Sequence, residues 1–381
     1  LAARIPRSRQ ALYAAVAVLI FFASAELILR VRDFGFYYNY SADILGMPLL
    51  DLFRFRRIAN NTVEFDRELF WKFKPNQTLE ARGVYLKPVR INNLGFRGPD
   101  FQMPKRPGCF RIICLGDSVT FGWSVGEDET YPAQLQARLK RNFPGCDTEV
   151  INLGVTGYSS FQGKNLFLKI GQKLNPDLVI TGFGANDRYP ALLSDQEHLS
   201  AGTWQPNPIE LALRHSQVYK LVKSGVVYAR RRRRGLSLDP KSFFPGLKRK
   251  VSEQQYLANL KAIKDECGKI GCGMILLNDD FPGLETDPAL AAMREISART
   301  GAQIPAPFQE WDMLKLNRQA ASKLGAPLLD LREIFREAGP APLMVDKGHP
   351  NGPGHRTIAE KIAQQLSALD SFQQFAQNCG K

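Results

Sequence analysis

Apolar residues are distributed along this chain in three ways, and each predicts a different kind of element. From Ala11 to Leu29 they form one run broken only by Ser24 and Glu26. From Asp33 to Pro107 they are mostly aromatic and set among Pro and Gly. Beyond residue 108, short apolar runs alternate with segments of helical period. Runs near 110–115, 148–153, 177–182, 272–278 and 326–330 predict strands. The patterns between and after them predict helices over approximately 131–143, 159–174, 251–269, 307–324 and 355–369. In the third helix Tyr256, Leu257, Leu260 and Ile263 share one face, and Gly271 stops it before the next strand. Alternation of this kind implies an α/β fold: a three-layer sandwich around a central, mostly parallel five-stranded sheet. No internal repeat interrupts it.

The first run is long enough to matter by itself. Its nineteen residues span about 28 Å as a helix, enough for a bilayer core. Arg4, Arg7 and Arg9 precede it, and Arg30 and Arg32 follow. Three readings compete. Ala23-Ser24-Ala25 after twelve apolar residues fits a signal peptide cleaved after Ala25. A buried soluble helix fits least with the flanking arginines. An uncleaved anchor is the reading adopted, because Leu27-Ile28-Leu29 resumes the apolar character past Glu26. Cleaved or left as an anchor, the segment exports the rest of the chain. The chain is therefore divided into an anchor or signal peptide (1–32), a lead-in (33–107) and a catalytic domain (108–375) with a basic insertion at about 190–250. Phe34, Phe36, Tyr37, Tyr38, Phe65, Phe70, Trp71 and Phe73 make the lead-in too aromatic for a disordered linker, so it is expected to pack on the core. Asn-x-Ser/Thr sequons begin at Asn39, Asn60 and Asn76.

The chemistry sits on the sheet's predicted carboxyl edge. The strand Phe110–Leu115 runs into Gly116-Asp117-Ser118-Val119, so Ser118 leaves the sheet where open α/β folds bind ligands. A serine nucleophile needs a base and a third group to orient that base. Asp346 and His349, three apart, can meet across one turn, and Pro350 keeps His349 out of helical geometry. Gly154 ends the second strand and Asn186 follows the third. With the Ser118 N–H, the Gly154 N–H and the Asn186 amide would form an oxyanion hole.

These four blocks resemble those of the SGNH hydrolases, also called GDSL esterases/lipases, over roughly Cys109 to Leu369. Val119 stands where the namesake block has leucine. The resemblance implies a flavodoxin-like sheet, Ser118 as nucleophile, His349 as base, Asp346 as its partner, and Gly154 and Asn186 as oxyanion donors. It also implies neighbouring first and second strands, which would bring Cys109 and Cys146 within disulfide distance. Cys267 and Cys272, flanking a helix-to-strand turn, form a second candidate pair. Arg90 to Arg97 is similar to the lead-in of exported members.

Rival arrangements are weaker. Asp195 and His198 repeat the Asp-x-x-His spacing without a helix like the one after His349. His215 and His355 suit surface or capping roles. Four histidines and no His-Glu-x-x-His argue against zinc, and no metal or organic cofactor is expected.

Much of the excess behind the formal charge of +14 lies in Arg214 to Lys250, including Arg230–Arg234. Nucleic-acid binding fits an exported protein poorly. A solvated loop and contact with anionic head groups are the alternatives. The second draws on the amphipathic pattern of Leu211, Leu213, Val218, Leu221 and Val222, and both stay open. The expected function is thus a membrane-tethered serine esterase cleaving acyl esters, O-acetyl esters included, of an envelope glycan or lipid through an acyl-Ser118. O-Acyl transfer to an exported polysaccharide is the alternative enzyme, and a non-catalytic carbohydrate- or lipid-binding module the alternative class.

Overall fold

The computed structural model describes residues 6–31, 62–80, 87–191, 193–200, 213, 216–219, 221–222, 247–281, 288–304, 308, 312–339, 342–346 and 348–379. The chain divides into two units: Leu1–Asn61 with Gln205–Asp239, and Thr62–Trp204 with Pro240–Lys381. His215, Arg230–Arg234, Asn39 and Asn60 lie outside the described residues.

The first unit contains α1 (Arg7–Val31). Its most apolar 18-residue window has mean hydropathy 2.3, and none of that window is buried. At 1.5 Å per residue it is about 37 Å long, sufficient to cross a bilayer.

The second unit opens with two small antiparallel pairs. These are β1 (Val63–Asp66) with β2 (Phe70–Phe73), and β3 (Gln77–Leu79) with β4 (Val89–Ile91). The central sheet follows: β5 (Phe110–Gly116), β6 (Thr148–Asn152) and β7 (Leu178–Gly182), joined later by two more strands. The intervening helices are α2 (Ser118–Phe121), α3 (Tyr131–Asn142) and α4 (Ser160–Lys169). A short excursion carries β8 (Pro190–Ala191), α5 (Asp195–Ser200) and β9 (Lys248–Arg249). The chain then runs α6 (Glu253–Lys269), β10 (Gly273–Asn278), α7 (Pro288–Thr300) and α8 (Met313–Leu324). It closes with β11 (Leu328–Asp330), α9 (Leu331–Glu337), α10 (Gly352–Ser367) and α11 (Asp370–Asn378).

The five strands pair in the order β11-β10-β7-β5-β6, all parallel. Ile112, Ile113, Cys114 and Leu115 are each fully buried, as expected of a strand covered on both faces. Ile112 and Cys114 meet α3, α9 and α10 through Leu135, Ile334, Ile358 and Ile362. On the other side α6 packs on α4 and α8. Each buried aliphatic side chain stabilises the fold by about 1.5–3 kcal/mol relative to exposure.

Helix ends differ from the periodic reading where capping decides them. α8 starts at Met313 because the Asp312 carboxylate accepts from the Lys315 N–H at 3.0 Å. α10 starts at Gly352, ahead of its apolar stripe, because Asn351 Oδ1 accepts from the Gly354 N–H.

The residues from 62 to 107 that are described engage the connections of the central sheet. Phe73 stacks on Phe121 at 5.2 Å. Gln162 Nε2 donates to Leu69 O at 2.8 Å. The buried Arg97 guanidinium donates to the carbonyls of Phe121, Gly122 and Val125. Asn76 is exposed in the turn between β2 and β3.

Both expected disulfides are corrected. Cys109 is a free, buried thiol, and Cys146 is bonded instead to Cys379, Cα to Cα 5.0 Å. β5 and β6 are indeed neighbours. However, α11 lays Phe372 against Phe110 and Phe143 at 5.1 and 5.2 Å, which carries Cys379 to Cys146. Cys267 and Cys272 are also free thiols, and Cys272 Sγ donates to Gly273 O at 3.2 Å. Four reactive thiols are therefore expected in unfolded, unreduced protein, rising to six on reduction. Since the bridge closes a loop spanning 233 positions, Cys146→Ser should cost about 2–5 kcal/mol in urea unfolding.

Candidate active site

The turn after β5 is built to present one hydroxyl. Gly116 approaches its neighbours so closely that a Cβ would lie 2.1 Å from Thr120 Oγ1 and 2.9 Å from Gly182 O. Asp117 caps α2, its Oδ1 accepting from the Val119 N–H at 2.9 Å, and Gly122 closes the turn at φ 85°. Ser118 is consequently the first residue of a helical turn at the sheet's carboxyl edge. Its N–H has no acceptor among the described residues.

His349 arrives from a tight loop. Met344 and Pro350 form an antiparallel bridge, and the Val345 N–H donates to His349 O at 2.8 Å. His349 Nε2 lies 3.0 Å from Ser118 Oγ. Its Nδ1 is 2.9 Å from both Asp346 oxygens. With the Nδ1 hydrogen donated to the carboxylate, Nε2 is left to accept the serine hydroxyl hydrogen. Partial burial pushes the Asp346 carboxyl up, but the Gly348 N–H and the His349 ring outweigh it and hold its pKa below the usual range. Trp123 stands beside the His349 ring, centroids 5.7 Å apart.

Two residues to which the sequence reading gave no role organise the expected donors. Asp117 Oδ2 accepts from Asn186 Nδ2 at 2.9 Å, fixing that amide while leaving its second hydrogen unused by this bond. Asn152 Nδ2 donates to Thr120 O at 3.0 Å, and its Oδ1 accepts from the Gly154 N–H at 2.9 Å. The expected Gly154 donor is therefore corrected: its N–H is turned inward. A Cβ there would lie 2.3 Å from Phe121 N, so Gly154 serves close packing beneath the Ser118 turn. Three residues on, Gly157 is half-exposed at φ 80°, and its N–H has no acceptor among the described residues. The Val155 N–H donates to Gly116 O at 3.1 Å, so the turn carrying Gly157 starts beside the end of β5.

Burial pushes Asp117 up to about 6, against its bonds to Val119 and Asn186 and the nearby His349. Its folded pKa thus exceeds the unfolded value, and stability falls as pH rises through the interval between them. Asp117→Asn is expected to be more stable than the parent at pH 8 by about 1–3 kcal/mol, the gap closing toward pH 4. Its kcat should drop by less than the ~10²–10³ of deleting an oxyanion donor. Urea midpoints across pH and ester turnover check both halves.

The rival histidines do other work. Asp195 is buried and accepts from Ser159 Oγ at 2.5 Å. His198 packs edge-on to Phe70 at 6.4 Å, and burial with the Lys250 charge pushes it down to about 4. His355 is fully buried, and its Nδ1 accepts from the Tyr131 N–H at the start of α3. It is a capping residue, pushed down to about 3 by burial.

A family model described as GDSL-like lipase/acylhydrolase matches residues 114–357. Among solved structures, the chain is similar to the acetylxylan esterase Axe2 of Geobacillus stearothermophilus. That match has 18% identity and a TM-score of 0.39, covering 67% of this chain and 93% of that one. TesA matches at 15% identity and TM-score 0.40, covering 68% and 98%. LAE5, an alpha/beta hydrolase enzyme from the metagenome of Lake Arreo, Spain, matches at 19% and 0.38, covering 71% and 97%. No curated protein matches the chain.

Proposed function

Because the chain belongs to the GDSL-like lipase/acylhydrolase family, and so is a serine hydrolase of ester bonds, we propose that Ser118, His349 and Asp346 form its catalytic triad. The observation that carries this reading is the continuous chain of hydrogen bonds from Asp346 through His349 to Ser118 Oγ. Ser118 Oγ attacks the ester carbonyl while His349 Nε2 takes its proton. The oxyanion is held by the Ser118 N–H, the second hydrogen of the Asn186 amide and, in place of Gly154, the Gly157 N–H. His349 then protonates the departing alcohol, leaving acyl-Ser118. Water attacks that ester with His349 again as base, and the acid leaves.

The substrate in this reading is an acyl ester of an envelope glycan or lipid. α1 supports it by offering a single-pass anchor that would hold the catalytic unit on the extracytoplasmic side. The Cys146–Cys379 bond supports the same side, since disulfides persist in oxidising compartments. Hydrolysis of aryl esters of increasing acyl length by the full chain tests the assignment. Restriction to acetyl esters points to glycan O-acetyl groups, a long-chain optimum to lipids, and no ester hydrolysis at any length overturns it.

A further inference from the structure

Glu26 is the one carboxylate in an otherwise apolar helix, and the structure gives it a specific task. Ser216 Oγ and the Val218 N–H donate to its Oε2, and the Gln217 N–H to its Oε1, each at 3.0 Å. Arg30 Nε adds a bond to Oε1 at 2.7 Å from the next turn of α1. Ser216 Oγ in turn accepts from the Tyr219 N–H at 3.2 Å. Gln217 to Tyr219 are helical, so Glu26 and Ser216 together satisfy three N–H groups that a helix start leaves without partners. The match is reciprocal, because those donors solvate a carboxylate that would be costly in hydrocarbon.

Exposure says what surrounds this pair of segments. Along α1 only Ala25, Glu26 and Leu29 are partly covered, one stripe at helical spacing. Among the described residues, every exposed large apolar side chain except Val345 belongs to α1 or to Leu213, Leu221 and Val222. A helix apolar on all faces is suited to lipid, whereas a second protein chain would cover one stripe. Glu26 lies five residues from the end of α1, about 8 Å along its axis, near the boundary between hydrocarbon and head groups.

We propose that Leu213, Ser216–Tyr219, Leu221 and Val222 lie in the membrane interface, strapped to the anchor by Glu26 and dipping Leu213, Leu221 and Val222 into the acyl chains. The inference rests on the anchor reading above. The strap makes the anchor part of a two-segment membrane module rather than a plain tether. It also sets the arginine run that follows, Arg230–Arg234, in the sequence just after an interfacial element.

The test uses the full chain in vesicles of phosphatidylcholine and phosphatidylglycerol. Leu221→Cys is labelled with an environment-sensitive fluorophore on folded protein, where the four native free thiols are buried. Bromines on the upper acyl chain should quench the probe several-fold more than aqueous iodide does. Adding Glu26→Leu should reverse that preference while leaving the protein with the vesicles and its ester hydrolysis unchanged. Vesicle-bound protein whose probe is iodide-quenched throughout overturns the strap alone, as does a probe indifferent to Glu26→Leu. Protection that depends on protein concentration rather than on lipid assigns the face to a second copy and likewise overturns it. Protein that fails to sediment with vesicles overturns the anchor, and the strap with it.

Discussion

Ser118→Ala should lower kcat/KM for aryl esters by on the order of 10⁴–10⁶ while leaving the fold intact. The fold survives because the α2 cap is made by the Asp117 carboxylate to the Val119 N–H, not by the serine hydroxyl. In the mechanism proposed above, the lost hydroxyl is the group that takes up the acyl chain. His349→Ala should cost nearly as much, since without the 3.0 Å contact to Ser118 Oγ nothing accepts the proton during attack. The double variant should be scarcely worse than either single one, because triad members act as a unit. Thermal unfolding of each variant, run beside the kinetics, separates lost chemistry from lost structure. Comparable turnover in the parent and Ser118→Ala would remove the mechanism altogether.

Two glycines three positions apart should respond differently to the same added methyl group. At Gly157 a Cβ meets only Trp71 Cζ2 at 3.4 Å, so space is available. The positive φ makes alanine there strained by about 1–3 kcal/mol. Displacing its N–H should lower kcat by about 10²–10³. At Gly154 the same methyl would sit 2.3 Å from Phe121 N and 2.6 Å from the Thr120 carbonyl carbon. The backbone of the nucleophile turn must then move, and stability should fall by about 1–3 kcal/mol along with rate. The distinguishing readout is rate per unit of stability lost. A Gly157→Ala enzyme with full kcat would return the donor role to Gly154.

That pair also shows where sequence reading runs out. Asn152-Leu153-Gly154-Val155-Thr156-Gly157 holds two glycines that look equally able to lend an N–H. Only the Asn152 side chain, taking up the first one's hydrogen, separates them. Asp117 was visible beside the serine, but its grip on Asn186, 69 positions away, depends on how β5 and β7 align. The five strands were legible as short apolar runs set between segments of helical period, and so was the meeting of Ser118 with His349, because Pro350 and the Asp346 spacing constrain a single loop. The Cys146–Cys379 bond was not. It follows from Phe372 and Phe375 docking on Phe110, a tertiary event that cysteine spacing does not record.

The Arg97 guanidinium, set on three carbonyls around the end of α2, bears on where the enzyme begins. The motif blocks start near residue 109, yet the cation that fixes the serine's own turn is supplied from upstream of them. An excised piece starting at residue 108 would leave those oxygens bare in the interior. The smallest heritable catalytic module is accordingly longer than its signature: it must travel with the small strands ahead of it, and grafting the signature alone onto another sheet would transplant a nucleophile without its foundation.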